Sequence, residues 1–168
     1  MANTKKSLNY GRQSIDNDDI QVVIETLKSD FITQGPKIPQ FENSIKSYCG
    51  VKFGFAVNSA TSALHISCLA LGLGPGDILW TSANTFVSSS NCAILVGASV
   101  DFIDIDPDTL NMSTSCLEKK LIKAKTNNCL PKIVVPVHFA GQSCDMKKIY
   151  ELSQIYGFKI IEDGSHAI

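Results

Sequence analysis

The stretch KIVVPVHFAGQSCDMKKIYELSQIYGFKIIED, residues 132–163, holds two apolar runs separated by one amphipathic segment. KIVVPVHF (132–139) is rich in β-branched residues and reads as a buried strand. DMKKIYELSQIYG (145–157) spaces its apolar residues as a helix does. FKIIED (158–163) reads as another buried strand, and it ends in two carboxylates, Glu162 and Asp163. Two apolar strands joined through a helix are the unit of a parallel sheet, because an antiparallel pair needs only a short turn.

The alternation continues upstream. ILWTSA (78–83) and SVDFIDID (99–106) read as strands. ATSALHISCLALG (60–72) reads as a helix with Leu64, Cys68 and Leu71 inward, and FVSSSNCAILVG (86–97) and STSCLEKKLIKA (113–124) read as two more. FGFAVNS (53–59) is expected to be a buried strand that opens this domain. Before it, Asp16 is placed to cap a helix through Lys28 with Ile20, Val23, Ile24 and Leu27 on one face. ITQGPKIP (32–39) is expected to be a loop, broken by Gly35-Pro36 and Pro39, with a helix from Gln40 to Tyr48 behind it. The expected organisation is a helical segment and loop over 1–52, then an α/β domain over 53–168. Its sheet should be mainly parallel, with helices on both faces.

Composition narrows the function. The chain has 168 residues, 44% hydrophobic and 18% charged, enough for one sizeable core. A net charge of -1 gives no field to attract nucleic acid or an anionic membrane. No apolar run is long enough to span a bilayer, and the opening MANTKKSLNY is too polar for a signal peptide, so a cytoplasmic location is expected. The six cysteines form no CxxC pair and read as reduced thiols; no metal site is expected.

In a parallel sheet, ligands collect at the carboxyl ends of the strands. Four such ends carry polar groups here: Asn58-Ser59, Ser82-Ala83-Asn84, His138 and Asp163. NSATSALH (58–65) joins a strand end to a helix start. Free first-turn N–H groups and the hydroxyls of Thr61 and Ser62 suit an anion, although a plain helix cap also accounts for them. GLGPGD (72–77) follows a helix and precedes a strand, the reverse of a dinucleotide fingerprint, and reads as a turn. Phe86 lies just past a strand end, where its ring could cover a flat cofactor or pack in the core. Asp163 is an acid at the end of an apolar strand, costly to bury without a cation or donors. A pyridinium nitrogen is such a cation, a helix cap is the simpler use, and His166 is near enough to orient the acid.

Seven segments taken together resemble one family. TQGP (33–36), NSATSALH (58–65), LGLGPGD (71–77), ANTFVSSSNCAILVGA (83–98), DIDPDTLNM (104–112), VPVHFAGQSCDM (135–146) and IIEDGSHA (160–167) are similar to the sugar aminotransferases of the DegT/DnrJ/EryC1/StrS type. That resemblance implies the large domain of the aspartate aminotransferase (type I) fold and pyridoxal phosphate as cofactor. It implies that Ala60 and Thr61 meet the phosphate, that Phe86 stacks on the pyridine ring, that Asp163 pairs with the ring nitrogen and that His166 lies beside the ring hydroxyl. Gln34 and Gly35 would approach substrate. NYGRQSID and VHFAGQSCDM most resemble the branch that aminates a UDP-linked 4-keto-6-deoxy-hexosamine in pseudaminic acid biosynthesis, with glutamate as amino donor and a homodimer as the working unit. The family's Schiff-base lysine falls past Ile168. The chain is therefore expected to be an N-terminal part that lacks the catalytic lysine and the C-terminal domain. A dehydratase of the same fold, with histidine for that lysine, is the alternative enzyme. A non-catalytic fragment that associates with an intact homologue is the alternative from another class.

Overall fold

The computed structural model describes residues 11–167, which form two compact units divided between Ala56 and Val57. Met1–Tyr10, which is the whole polar opening, and Ile168 lie outside the described residues.

The first unit contains helices α1 (Asn17–Leu27) and α2 (Lys37–Cys49). Asp16 caps α1 as expected. Its carboxylate accepts from the N–H groups of Asp18 and Asp19, and Asp19 reaches back to the Asp16 N–H at 3.0 Å. Ile20, Val23, Ile24 and Leu27 lie on this helix and are all exposed. The second helix starts three residues earlier than the sequence suggested, with Pro39 inside its first turn. A proline is harmless there because a first-turn N–H has no helical acceptor to lose. The loop at 32–39 is shorter accordingly.

The second unit is an α/β layer structure. Its elements are α3 (Ala60–Ala70), β1 (Ile78–Ser82), α4 (Ser88–Leu95), β2 (Ser99–Ile103), α5 (Thr114–Thr126), β3 (Ile133–Val135), α6 (Met146–Tyr156) and β4 (Lys159–Ile160), with a 3-10 turn at Phe139–Gly141. The four strands lie in the order β2-β1-β3-β4 and every pairing is parallel. Alternate side chains enter opposite faces. Leu79, Ile133 and Val135 pack with Leu64 and Cys68 of α3 and Cys92 and Ala93 of α4. Trp80 and Val134 pack on the other face with Leu117 and Leu121 of α5 and Ile149 and Leu152 of α6. Helices thus cover both faces, as the alternation implied.

Three expectations are corrected. Residues 53–59 form no strand among the described residues; Phe53 and Phe55 are exposed at 67% and 84%. A strand needs a neighbour to take its N–H and C=O groups, and this segment straddles the division between the units, away from any ladder. Leu71 is not inward: α3 stops at Ala70, Gly72 turns the chain at φ +71°, and Leu73 is buried in its place. The strands within 99–106, 132–139 and 158–163 are shorter than their apolar runs. Pro136 has no N–H to donate, and β3 and β4 rejoin beyond it only at the parallel bridge between Val137 and Asp163.

GLGPGD is the expected turn, and its geometry carries a first prediction. Asp77 closes it by accepting from the Gly74 N–H at 3.0 Å, and Lys132, at the head of β3, reaches Asp77 at 2.7 Å and the Gly72 carbonyl. The hydrogen bond from Lys132 holds the Asp77 carboxyl below the usual carboxylate range. A depressed folded-state pKa contributes stability above the unfolded value and loses it as pH falls through the folded one. Asp77→Asn is therefore expected to lower the denaturation midpoint at neutral pH. The gap from the parent should close as pH falls below the ordinary carboxylate range. A gap unchanged by pH in urea titrations would contradict the ionic origin.

Candidate active site

Glu162 and Asp163 follow β4 on adjacent positions, so the pleat sends them to opposite faces. Glu162 accepts from His138 Nε2 at 3.0 Å. The other ring nitrogen of His138 accepts from the Cys144 N–H at 3.2 Å, which fixes the tautomer with the proton on Nε2. Burial pushes the Cys144 thiol pKa up, and the thiol donates to the Val137 carbonyl. This side of the strand end is a closed structural network.

Asp163 lies on the α3–α4 side, only 6% exposed. Ser89 Oγ donates to its Oδ2 at 2.7 Å, and Ser165 donates to its Oδ1 twice, from N–H at 3.2 Å and from Oγ at 2.6 Å. Among the described residues no lysine, arginine or histidine makes an ion pair with it. The Ser165 N–H contact is also the contact of an N-cap, and the residues after Asp163 form a turn closed by the Ala167 N–H on the Gly164 carbonyl.

Above Asp163 an open hollow of about 270 Å³ runs between the first two turns of α3 and residues 161–165, with Ala60, Leu64 and Asp163 in its wall. The start of α3 is held firmly. Ser59 caps it by accepting from the Ser62 N–H, and Ser62 Oγ donates to Asn58 at 2.7 Å. The N–H groups of Ala60 and Thr61 belong to the first turn and have no acceptor within the helix. Thr61 Oγ1 lies 2.7 Å from Ser88 Oγ of α4. The structure thus brings Ala60, Thr61 and Asp163 to one end of the sheet.

Phe86 sits in the turn between β1 and α4 and is 74% exposed, so the core-packing use of this ring does not apply. His166 is exposed in the turn after Asp163. Its carbonyl oxygen would lie 2.8 Å from a Cβ at Gly141, which already holds φ +86°. Gly141→Ala is therefore expected to cost about 1–3 kcal/mol and to shift the His166 turn, because both the dihedral and the space require glycine. Urea unfolding measures the first effect, and the histidine ring NMR signals of His166 report the second. Gln34 and Gly35 belong to the first unit. Gln34 is exposed at φ +53°, and a Cβ on Gly35 would meet the Phe31 carbonyl at 2.6 Å.

Sequence reasoning missed Ser88, Ser89, Thr85 and Ser165. The available signal was the run Ser88–Ser90, three hydroxyls in the first turn of a helix, all buried here. Among the described residues no cluster suits a metal ion, and no helix is long and apolar enough to cross a membrane.

Residues 13–168 match the model of the DegT/DnrJ/EryC1/StrS aminotransferase family. The chain belongs to that family. It is 44% identical over 161 residues to the spore coat polysaccharide biosynthesis protein SpsC of Bacillus subtilis, covering 96% of this chain and 40% of that protein. It is 40% identical over 157 residues to the UDP-4-amino-4-deoxy-L-arabinose–oxoglutarate aminotransferase of Shewanella sediminis, covering 94% of this chain and 39% of that protein. The crystal structure of ntda from Bacillus subtilis, with bound cofactor PMP, superposes with a TM-score of 0.80 at 30% identity over 92% of this chain and 35% of that one. This DegT/DnrJ/EryC1/StrS chain therefore has the α/β type I fold, and it spans about 40% of the length of the curated relatives it matches.

Proposed function

We propose that this chain supplies the cofactor-binding half of a pyridoxal phosphate-dependent aminotransferase that converts a UDP-linked 4-keto-6-deoxy-hexosamine to the 4-amino sugar, with glutamate as donor. The observation that carries it is Asp163: a buried carboxylate at a strand end, oriented by three donors and without a cationic partner among the described residues. Three donors steady this carboxylate and leave room on Oδ2 for one further partner. A protonated pyridine ring is a cation of the right size and chemistry, so the residues present fit the cofactor. The names of the relatives support the substrate class: one is a UDP-4-amino sugar aminotransferase whose keto partner is oxoglutarate, the keto acid of glutamate. PMP, bound in the ntda structure, is the aminated form of pyridoxal phosphate.

The bound cofactor supplies an electron sink for the amino carbon. In this reading Asp163 keeps the ring nitrogen protonated, Ala60 and Thr61 offer N–H and hydroxyl donors to the phosphate, Phe86 covers one ring face and excludes water, and His166 lies by the ring hydroxyl. Gln34 and Gly35 approach the sugar. In this reading the working unit is a homodimer. The proposed place of action is the cytoplasm.

The test is direct. The full-length protein, loaded with pyridoxal phosphate and given glutamate and a UDP-4-keto-6-deoxy-hexosamine, is expected to release oxoglutarate and a UDP-amino sugar in equal amounts by mass spectrometry. Turnover of a UDP-4-keto-pentose alone would move the substrate to the arabinose class. Loss of water from the sugar without oxoglutarate would indicate a dehydratase. Light scattering should give twice the chain mass.

A further inference from the structure

Ser89 is fully buried in the first turn of α4, and its hydroxyl stands between two partners. It donates to Asp163 Oδ2 at 2.7 Å and lies 2.7 Å from Thr85 Oγ1. A serine hydroxyl has one hydrogen. That hydrogen goes to the carboxylate, so Thr85 must be the donor in the other contact. The result is a one-way relay, Thr85 O–H to Ser89 O–H to Asp163, in which each bond polarises the next. Thr85 is also the residue before Phe86. The relay therefore ties the turn that presents the aromatic ring to the acid at the strand end.

The same count identifies where Asp163 is open. A carboxylate has about four acceptor sites, two on each oxygen. Ser165 fills both on Oδ1, and Ser89 fills one on Oδ2. The remaining site is on Oδ2, the oxygen that the relay holds. We propose that Ser89, backed by Thr85, is a positioning residue that aims the open Oδ2 site of Asp163 at the cofactor's ring nitrogen. The proposal rests on the cofactor reading above and adds residues that this reading did not contain.

The test uses the full-length protein and two ligands, pyridoxal phosphate and its 1-deaza analogue, in which C–H replaces the ring nitrogen. The analogue retains phosphate, aldehyde and ring stacking, so it controls for folding and for every contact except the one to nitrogen. The readout is the ratio of the two dissociation constants, by equilibrium dialysis. In Ser89→Ala the preference for pyridoxal phosphate should fall about fivefold, less than the full worth of a hydrogen bond to a charged group because Ser165 still holds Oδ1. Thr85→Val should lower it by less. Ser89→Thr, which keeps the hydroxyl, should restore it. Asp163→Asn should bring the ratio close to one. If Asp163→Asn leaves the preference intact, the ring-nitrogen reading falls and the relay falls with it. If Asp163→Asn abolishes the preference but Ser89→Ala leaves it unchanged or raises it, the cofactor reading stands and the positioning role of Ser89 is overturned.

Discussion

Asp163→Asn is expected to lower turnover about 10²–10³-fold while weakening cofactor affinity only about tenfold. The substitution keeps the shape of the side chain and removes its charge. Without that charge the ring nitrogen loses its proton more readily, and each unit of pKa lost costs about 1.4 kcal/mol of protonated ring. In the proposed reading affinity would suffer less, because Ala60 and Thr61 would still hold the phosphate and Phe86 the ring face. The amide also disturbs its own support: Ser89 and Ser165 donate to both oxygens, and one of these becomes an NH₂ group. Steady-state oxoglutarate release and cofactor titration separate the two effects. Near-parental turnover would remove Asp163 from the ring-nitrogen role.

Trp80→Ala is expected to destabilise the second unit by about 3–5 kcal/mol. Trp80 is 2% exposed in the centre of β1 and packs in one cluster with Ile103, Leu117 and Val134. Lys120 Nζ lies 4.9 Å from its ring centroid and bonds Asp101 of β2, so the ring also anchors an ion pair at the sheet edge. A domain holds about 5–15 kcal/mol in all, so this loss would remove a large share of the total. Trp80 is also the sole tryptophan of the chain, so unfolding must be followed by circular dichroism. A midpoint close to the parent's would show that this face of the sheet is not the main core.

Periodicity in the sequence revealed most of the layer structure, and the reason is physical. β1, β3, α5 and α6 bury the faces their patterns prescribe, whereas β2 is buried only at Ile103 and α4 buries its serines and leaves Ile94 and Leu95 exposed; the N-caps Asp16, Ser59, Ser113 and Asp145 all accept hydrogen bonds as their residue types favour. FGFAVNS misled because apolar alternation records a wish to be covered and says nothing of whether a neighbouring strand is there. Strand order was beyond reach, since it depends on long-range pairing. Asp163 was visible as a costly charge at the end of an apolar run. Ser89 was not, because its contact with Asp163 spans 74 residues and the side chain alone resembles any buried serine in a small-residue helix.

The two adjacent carboxylates after β4 also bear on how this segment can change over evolutionary time. Side chains there can be exchanged one at a time, and each exchange touches only one face. Deleting a residue between Lys159 and Glu162 would displace both acids by half a pleat. Glu162 would then be carried toward Ser89, and Asp163 toward His138. Drift by point replacement is open to this strand end, whereas gain or loss of a codon would scramble both networks in one event. Length here is under tighter constraint than composition.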